Sequence, residues 1–147
     1  MIREETIDFH IKTAWHGIYR RYNQVASQYG STTTMGYVLL NIDIEQGTPV
    51  MKIGPSIGME SRSLTRILKT LEERGMIYKQ KDLEDKRSVR VFLTNEGKEK
   101  REIAKNTVIA LNDQMRKAIP PTKLKTFFEV IKQINQLIEN NKIEIKI

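Results

Sequence analysis

MESRSLTRILKTLEERGM, Met59 to Met76, reads as one helix with two unlike faces. Leu64, Ile67, Leu68 and Leu71 recur at i, i+3, i+4 and i+7, the spacing that stacks side chains along a single stripe. Other parts of the chain must cover that stripe. At about 100° per residue, Arg62, Arg66, Lys69 and Glu73 fall within roughly 30° of the opposite direction, so the open face is mostly cationic. Ser61, Ser63 and Thr65 crowd the N-terminal half with short hydroxyls that can bond phosphate oxygens or base edges. Lys69 is placed to meet phosphate, while Glu73, near the far end, is expected to pair with Lys69 or face solvent. Gly75 ends the helix, since glycine takes the left-handed C′ conformation without strain. Alone, the stretch is equally an ordinary amphipathic surface helix; its neighbours decide.

Upstream, Thr48-Pro49 reads as a cap followed by proline at the first helical position, where the missing N–H costs nothing. Val50, Ile53 and Ile57 give the short helix an inward face, and Gly58 turns the chain into the quoted stretch. Short helix, glycine turn and amphipathic helix with a basic outer face make the helix-turn-helix arrangement, whose second helix enters the major groove of DNA. Downstream, Met76 to Lys81 and the alternating Val89, Val91 and Leu93 read as two strands around the polar tip DLEDKRS. A hairpin there is a wing. Lys86 and Arg87 at its tip suit an adjacent minor groove, where the narrow cleft concentrates negative potential. Asp85 and Asp82 would be repelled by phosphate, so the expected role is to hold Arg87 by a fork-shaped ion pair. The alternative is a merely solvated hairpin tip.

Long helices flank this centre. Ile7, Ile11, Ala14, Ile18, Tyr22, Val25 and Tyr29 mark a helix from Thr6 to about Tyr29, some 36 Å long. Gly30-Ser31-Thr32 then supplies a stop and a cap, and Met35, Val38, Leu39 and Ile42 mark a core helix ending near Gly47. Thr94 with Gly97 reads as the cap and first turn of a helix through Ile103, Ala104, Val108, Leu111 and Met115 to Pro120-Pro121. Pro121 opens a last helix carrying Leu124, Phe127, Phe128, Ile131, Ile134 and Ile138. Both are too apolar to stand alone. The expected fold is mainly α with a small β-wing: residues 31–97 form a winged helix-turn-helix, and residues 1–30 and 98–147 form dimerisation helices of one intertwined unit. A two-fold dimer would place its reading helices about 34 to 36 Å apart, one turn of B-DNA. The terminal KIEIKI, Lys142 to Ile147, alternates like a strand but can equally fray or pack on a partner.

Composition narrows the function classes. In 147 residues the formal net charge is +7, which favours an anionic partner, nucleic acid before membrane surface. There is no run of 18 apolar residues and no signal-like start, so a soluble cytoplasmic protein with no membrane association is expected. Zero cysteines exclude disulfides, thiolate zinc sites and thiol redox sensing by this chain. His10 and His16 point about 120° apart on one helix and do not form a metal-binding pair. No nucleophile, phosphate loop or acid pair with a histidine base suggests an enzyme, and no cofactor is implied. The rival to DNA binding is a winged helix used for protein contacts; small hydroxyls, cations and a basic tip argue against it, because such a face would more naturally expose aromatics. Trp15, Tyr19 and Tyr37 are placed to line a cleft between the dimer layer and the winged domain, or else to pack as ordinary core.

The run IGMESRSLTRILKTLEERGMIYKQKDLEDKRSVRVFLTNEG, Ile57 to Gly97, resembles the MarR family of bacterial transcriptional regulators. The matching pieces are the LxxRGxI-like helix end at Leu71, Arg74, Gly75 and Ile77, DxR at Asp85 and Arg87, and LTxxG at Leu93, Thr94 and Gly97. The resemblance implies a winged-helix homodimer on palindromic double-stranded DNA that represses, or less often activates, until a small ligand releases it. It carries DNA contacts onto Ser61, Arg62, Ser63, Thr65 and Arg66, and a wing contact onto Arg87 with Asp85 as its holder. It also implies an aromatic acid as effector beside Trp15, Tyr19 and Tyr37. Two departures stand out. Gly54-Pro55 replaces a regular alanine-bearing helix and is expected to kink it or end it early. Glu60 takes the place of a serine cap and is expected to turn aside from phosphate.

Overall fold

The computed structural model describes residues 1–146. After a 3-10 turn at Arg3–Glu5, the elements in chain order are α1 (Ile7–Gln28), α2 (Thr33–Leu40), β1 (Thr48–Pro49), α3 (Val50–Ile57), α4 (Ser61–Glu73), β2 (Ile77–Lys81), β3 (Val89–Leu93), α5 (Asn95–Ala118) and α6 (Pro121–Glu139). The chain divides into two units, Met1–Val108 and Ile109–Ile147.

The first unit is built on the predicted stripe. Leu64, Leu68 and Leu71 are buried, with Ile67 half-buried beside them. They meet Val38 and Leu39 of α2, Ile42 just beyond it, Ile53 of α3, and Val91 and Leu93 of β3. Each such side chain removed from water contributes roughly 1.5 to 3 kcal/mol, and together they fix α4 with its cationic side outward. Gly75 has φ +72°, and its N–H and that of Met76 close on the carbonyls of Glu72 and Leu71 at 3.0 and 2.9 Å. This paired closure is the left-handed helix end expected of the glycine, and it delivers the buried Met76 and Ile77 into the core.

Thr94 and Gly97 are explained by contact. The Thr94 hydroxyl donates to the Gly75 carbonyl at 2.6 Å and accepts the Gly97 N–H at 3.0 Å. A Cβ on Gly97 would lie against the Met76 carbonyl oxygen, far inside van der Waals distance. The start of α5 is thus seated directly on the end of α4.

Three expectations change. The second helix stops at Leu40, not near Gly47: the Asn41 amide donates to the Tyr37 carbonyl, and the Asp43 carboxylate accepts the N–H groups of Glu45 and Gln46, closing a turn instead of another helical turn. Thr48-Pro49 is a strand, not a helix cap. It pairs antiparallel with β3 in a sheet of order β1-β3-β2, and the edge position suits a residue with no N–H to give. Pro55 does not end α3, which runs to Ile57 before Gly58 turns it. Met51, whose carbonyl the proline deprives of a partner, is exposed to water, and the Gly54 and Pro55 carbonyls accept the N–H groups of Met59 and Gly58. In the tail, Lys142 to Lys146 join no strand; Ile147 lies outside the described residues.

In the second unit, α6 opens at Pro121 as expected but buries no residue. Phe127 is 54% and Phe128 48% exposed, with Val130, Leu137 and Ile138 also open. The Phe127 and Phe128 rings meet at 5.5 Å, and the Arg116 guanidinium lies 5.6 Å from the Phe128 ring centre.

Candidate nucleic-acid interface

α4 presents Ser61, Arg62, Thr65, Arg66 and Lys69 to solvent, with Ser63 half-buried among them. Among the described residues none of Arg62, Arg66 and Lys69 is in an ion pair; the acid that pairs nearby is Glu72, 3.7 Å from Lys79 of β2. No Lys69–Glu73 pair forms. The three cations therefore face solvent with no internal carboxylate to satisfy them. Thr65 differs from the expectation, because its hydroxyl donates to the Ser61 carbonyl at 2.8 Å. It offers an outside partner its methyl group and an acceptor oxygen, not a proton. Glu60 stands at the N-cap without bonding the helix and is exposed, leaving the first N–H groups of α4 without a side-chain cap.

The wing is β2 and β3 in register from Ile77↔Leu93 to Lys81↔Val89. Lys86 and Arg87 sit at its tip, and the Arg87 side chain is 98% exposed. Asp85 supports Arg87 in a way the sequence did not suggest. Its carboxylate accepts the Arg87 backbone N–H at 3.0 Å, whereas the Arg87 Nε stands 4.0 Å off, so the expected fork-shaped pair is absent. Asp85 shapes the turn and holds the guanidinium only by this single long contact.

Asp82 is not a holder of Arg87 either. Buried at the base of the wing, it meets the Arg90 guanidinium at 3.3 Å and accepts the Glu84 N–H at 3.0 Å. That N–H and then Arg90 hold the Asp82 carboxyl below its ordinary range, against the opposing effect of burial. Arg90 also donates to the carbonyls of Gln46 and Gly47 at 3.1 and 3.2 Å. The wing is thus tied to the turn before β1. Sequence reading missed Arg90, although strand alternation places it on the opposite face from the buried Val91.

The aromatic cluster forms: the Trp15 ring lies 5.8 Å from Tyr19 and 5.9 Å from Tyr37, and Tyr37 meets Tyr22 at 6.2 Å. The cavity, however, lies to one side of it, between α1, α2 and α5. Tyr22, Tyr29, Tyr37, Ile103 and Lys100 wall it, and Trp15 and Tyr19 do not. Burial pushes the Tyr22 and Tyr37 phenols up, for Tyr37 with help from its neighbour, so both remain neutral hydroxyls. The Lys100 ammonium lies 5.5 Å from the Tyr29 ring centre. Its volume of about 50 Å³ is well below the ~150 Å³ that admits a benzene ring.

α4 held by a glycine turn, a hairpin after it and a third short strand on that hairpin define a winged helix-turn-helix domain. The model of the MarR family matches residues 32–89, within this domain. The chain is 29% identical over 60% of its length to the HTH-type transcriptional regulator SarZ of Staphylococcus saprophyticus, covering 61% of that protein. The matched stretches take in between 46% and 61% of the first two curated relatives. Among solved structures, a Staphylococcus aureus MepR–DNA complex superposes with TM-score 0.81 at 16% identity, covering 89% of this chain and 97% of that one. The PcaV transcriptional regulator of Streptomyces coelicolor, in complex with its natural ligand, gives 0.79 at 18% identity, covering 92% and 96%. No described helix is long and apolar enough to cross a membrane.

Proposed function

We propose that the chain is a cytoplasmic, non-enzymatic transcriptional regulator that binds double-stranded DNA as a homodimer, reading a palindrome with α4 and gripping the flanks with the wing. One observation carries this: Arg62, Arg66 and Lys69 form an outward cationic face without internal carboxylate partners, on a helix whose other side is fully engaged in the core. In the major groove Arg66, with Ser61, Ser63 and Thr65, contacts base edges, while Arg62 and Lys69 neutralise phosphate. Arg87 and Lys86 reach the minor groove. The DNA-bound state of the MepR structure and the regulator name of the SarZ relative support the reading. Residues 1–30 and 98–147 are assigned to the dimer layer, because the exposed phenylalanines of α6 need a second copy to cover them.

In this reading the regulator represses until a small effector enters the cavity, a role that the ligand-bound PcaV structure supports. Tyrosine walls and one cation fit an aromatic acid, and the cavity must open to admit it. Trp15 reports on this through Tyr37, so an aromatic acid that enters should alter tryptophan fluorescence; a broad panel without any response would remove the effector from the account. For DNA binding the test is a salt titration. The logarithm of affinity should fall linearly and steeply with the logarithm of salt, corresponding to several phosphates per half-site, whereas a flat response would indicate a protein-binding winged helix instead.

A further inference from the structure

We infer that Arg74 is the positioning residue through which the cavity between α1, α2 and α5 acts on the reading helix; this deepens the proposed DNA-binding function and rests on it. Arg74 is the residue that closes α4. Its guanidinium Nη1 donates to the Gly30 carbonyl at 2.5 Å, across 44 residues of chain, and lies 4.0 Å from the Met35 sulfur. The same sulfur accepts the Ser31 hydroxyl at 3.7 Å. Among the described residues Arg74 is in no ion pair, and Nη1 is given to these neutral acceptors.

The acceptors belong to the turn that walls the cavity. Gly30 sits between Tyr29 and Ser31, and both of these line the cavity together with Ala26, Thr32 and Thr33. The turn is held back onto α1 by the Ser31 and Tyr29 N–H groups, both accepted by the Ala26 carbonyl at 3.0 Å. A molecule too large for about 50 Å³ must displace part of this wall. The turn is a lighter element than the three helices around it, and its movement carries the Gly30 carbonyl.

A hydrogen bond to a carbonyl is directional and transmits such a movement, whereas apolar contacts between α2 and α4 permit slip. The thirteen residues of α4 make a lever of about 20 Å, with Arg74 at one end and Ser61 to Arg66 at the other. A pull at Arg74 therefore tilts the DNA-reading end. In the undisturbed protein the same contact holds α4 at its working angle.

The test is a double-mutant cycle on duplex affinity in the full chain, with a filled cavity standing in for an effector. Ala26→Leu fills the cavity beside the turn; Arg74→Ala cuts the link. With Arg74 present, filling should weaken DNA binding at least about fivefold, and with Arg74→Ala by less than about twofold. Arg74→Lys, which can still donate to the Gly30 carbonyl, should restore most of the effect. Equal fold-losses in the two backgrounds would overturn the inference. If Ala26→Leu fails to fold, Ala104→Val fills the same cavity from α5 and gives the same comparison. Absence of duplex binding by the unmutated protein would overturn the DNA-binding function itself, an outcome distinct from additivity.

Discussion

Asp82 and Arg90 face each other at 3.3 Å at the base of the wing, and the same guanidinium reaches the Gln46 and Gly47 carbonyls. This one arginine joins the hairpin to the turn that precedes β1. The hairpin tip, which carries Lys86 and Arg87, therefore extends from a fixed root.

Acid should loosen that root. The Asp82 carboxyl titrates below its ordinary value of 3.8, chiefly through the Glu84 N–H and Arg90; Asp43 does so through the N–H groups of Gln46 and Glu45. For a carboxylate depressed in the folded state, the stabilisation is complete above the unfolded pKa and disappears as pH falls through the folded one. Stability measured by denaturant should accordingly be flat near neutrality and decline below about pH 4. Asp82→Asn should lower the plateau and flatten the decline; an unchanged acid limb would show that Asp82 contributes nothing to it.

Gly97→Ala should be severe. The new methyl would meet the Met76 carbonyl oxygen, which already accepts the Thr94 N–H at 3.1 Å. Displacing α5 from the end of α4 should cost about 3 kcal/mol or more, read as a shifted denaturant midpoint. A loss under about 1 kcal/mol would mean the contact is easily relaxed.

Arg66→Ala and Arg87→Ala should fail differently on DNA. Losing Arg66 should reduce discrimination at one or two base pairs by about 1 to 3 kcal/mol. Losing Arg87, whose side chain is 98% exposed at the wing tip, should weaken binding across sequences, lower the salt slope by about one and erase any preference for A·T-rich flanks. The comparison is a titration of each variant on specific and scrambled duplexes, and identical losses on both would contradict the division.

Phe127→Asp should separate the proposed dimer. The ring is 54% exposed in the single chain, and a carboxylate there cannot be covered by an apolar partner. Sedimentation should report a monomer, with DNA affinity reduced at least about a hundredfold as two linked half-sites become one. A variant that remains dimeric would move the interface elsewhere.

Much of this fold was legible because its signals are periodic. The stripe of α4, the alternation of β3 and the proline start of α6 each repeat over several residues, and LTxxG marks a contact with no room for a side chain. β1 was not legible, because two residues carry no period and Thr-Pro serves a helix start as well as a strand. The role of Asp82 was misassigned for a related reason. Lys86, Arg87 and Arg90 lie within nine residues of it, and only the strand register decides which one it meets. For Trp15 and Tyr19 the sequence leaves cleft lining and ordinary packing both open, because a helical stripe gives the direction of a side chain but not what lies beyond it; the Trp15 ring packs on Tyr19 and on Tyr37. The cavity opens instead toward Tyr22 and Tyr29.

Selection of bound duplexes from a random pool tests the central claim most directly. Recovered sequences should share an inverted repeat with half-site centres about 10 base pairs apart, one turn of the double helix. Recovery without sequence enrichment, or of a motif lacking two-fold symmetry, would contradict a dimer that reads DNA through Ser61 to Arg66.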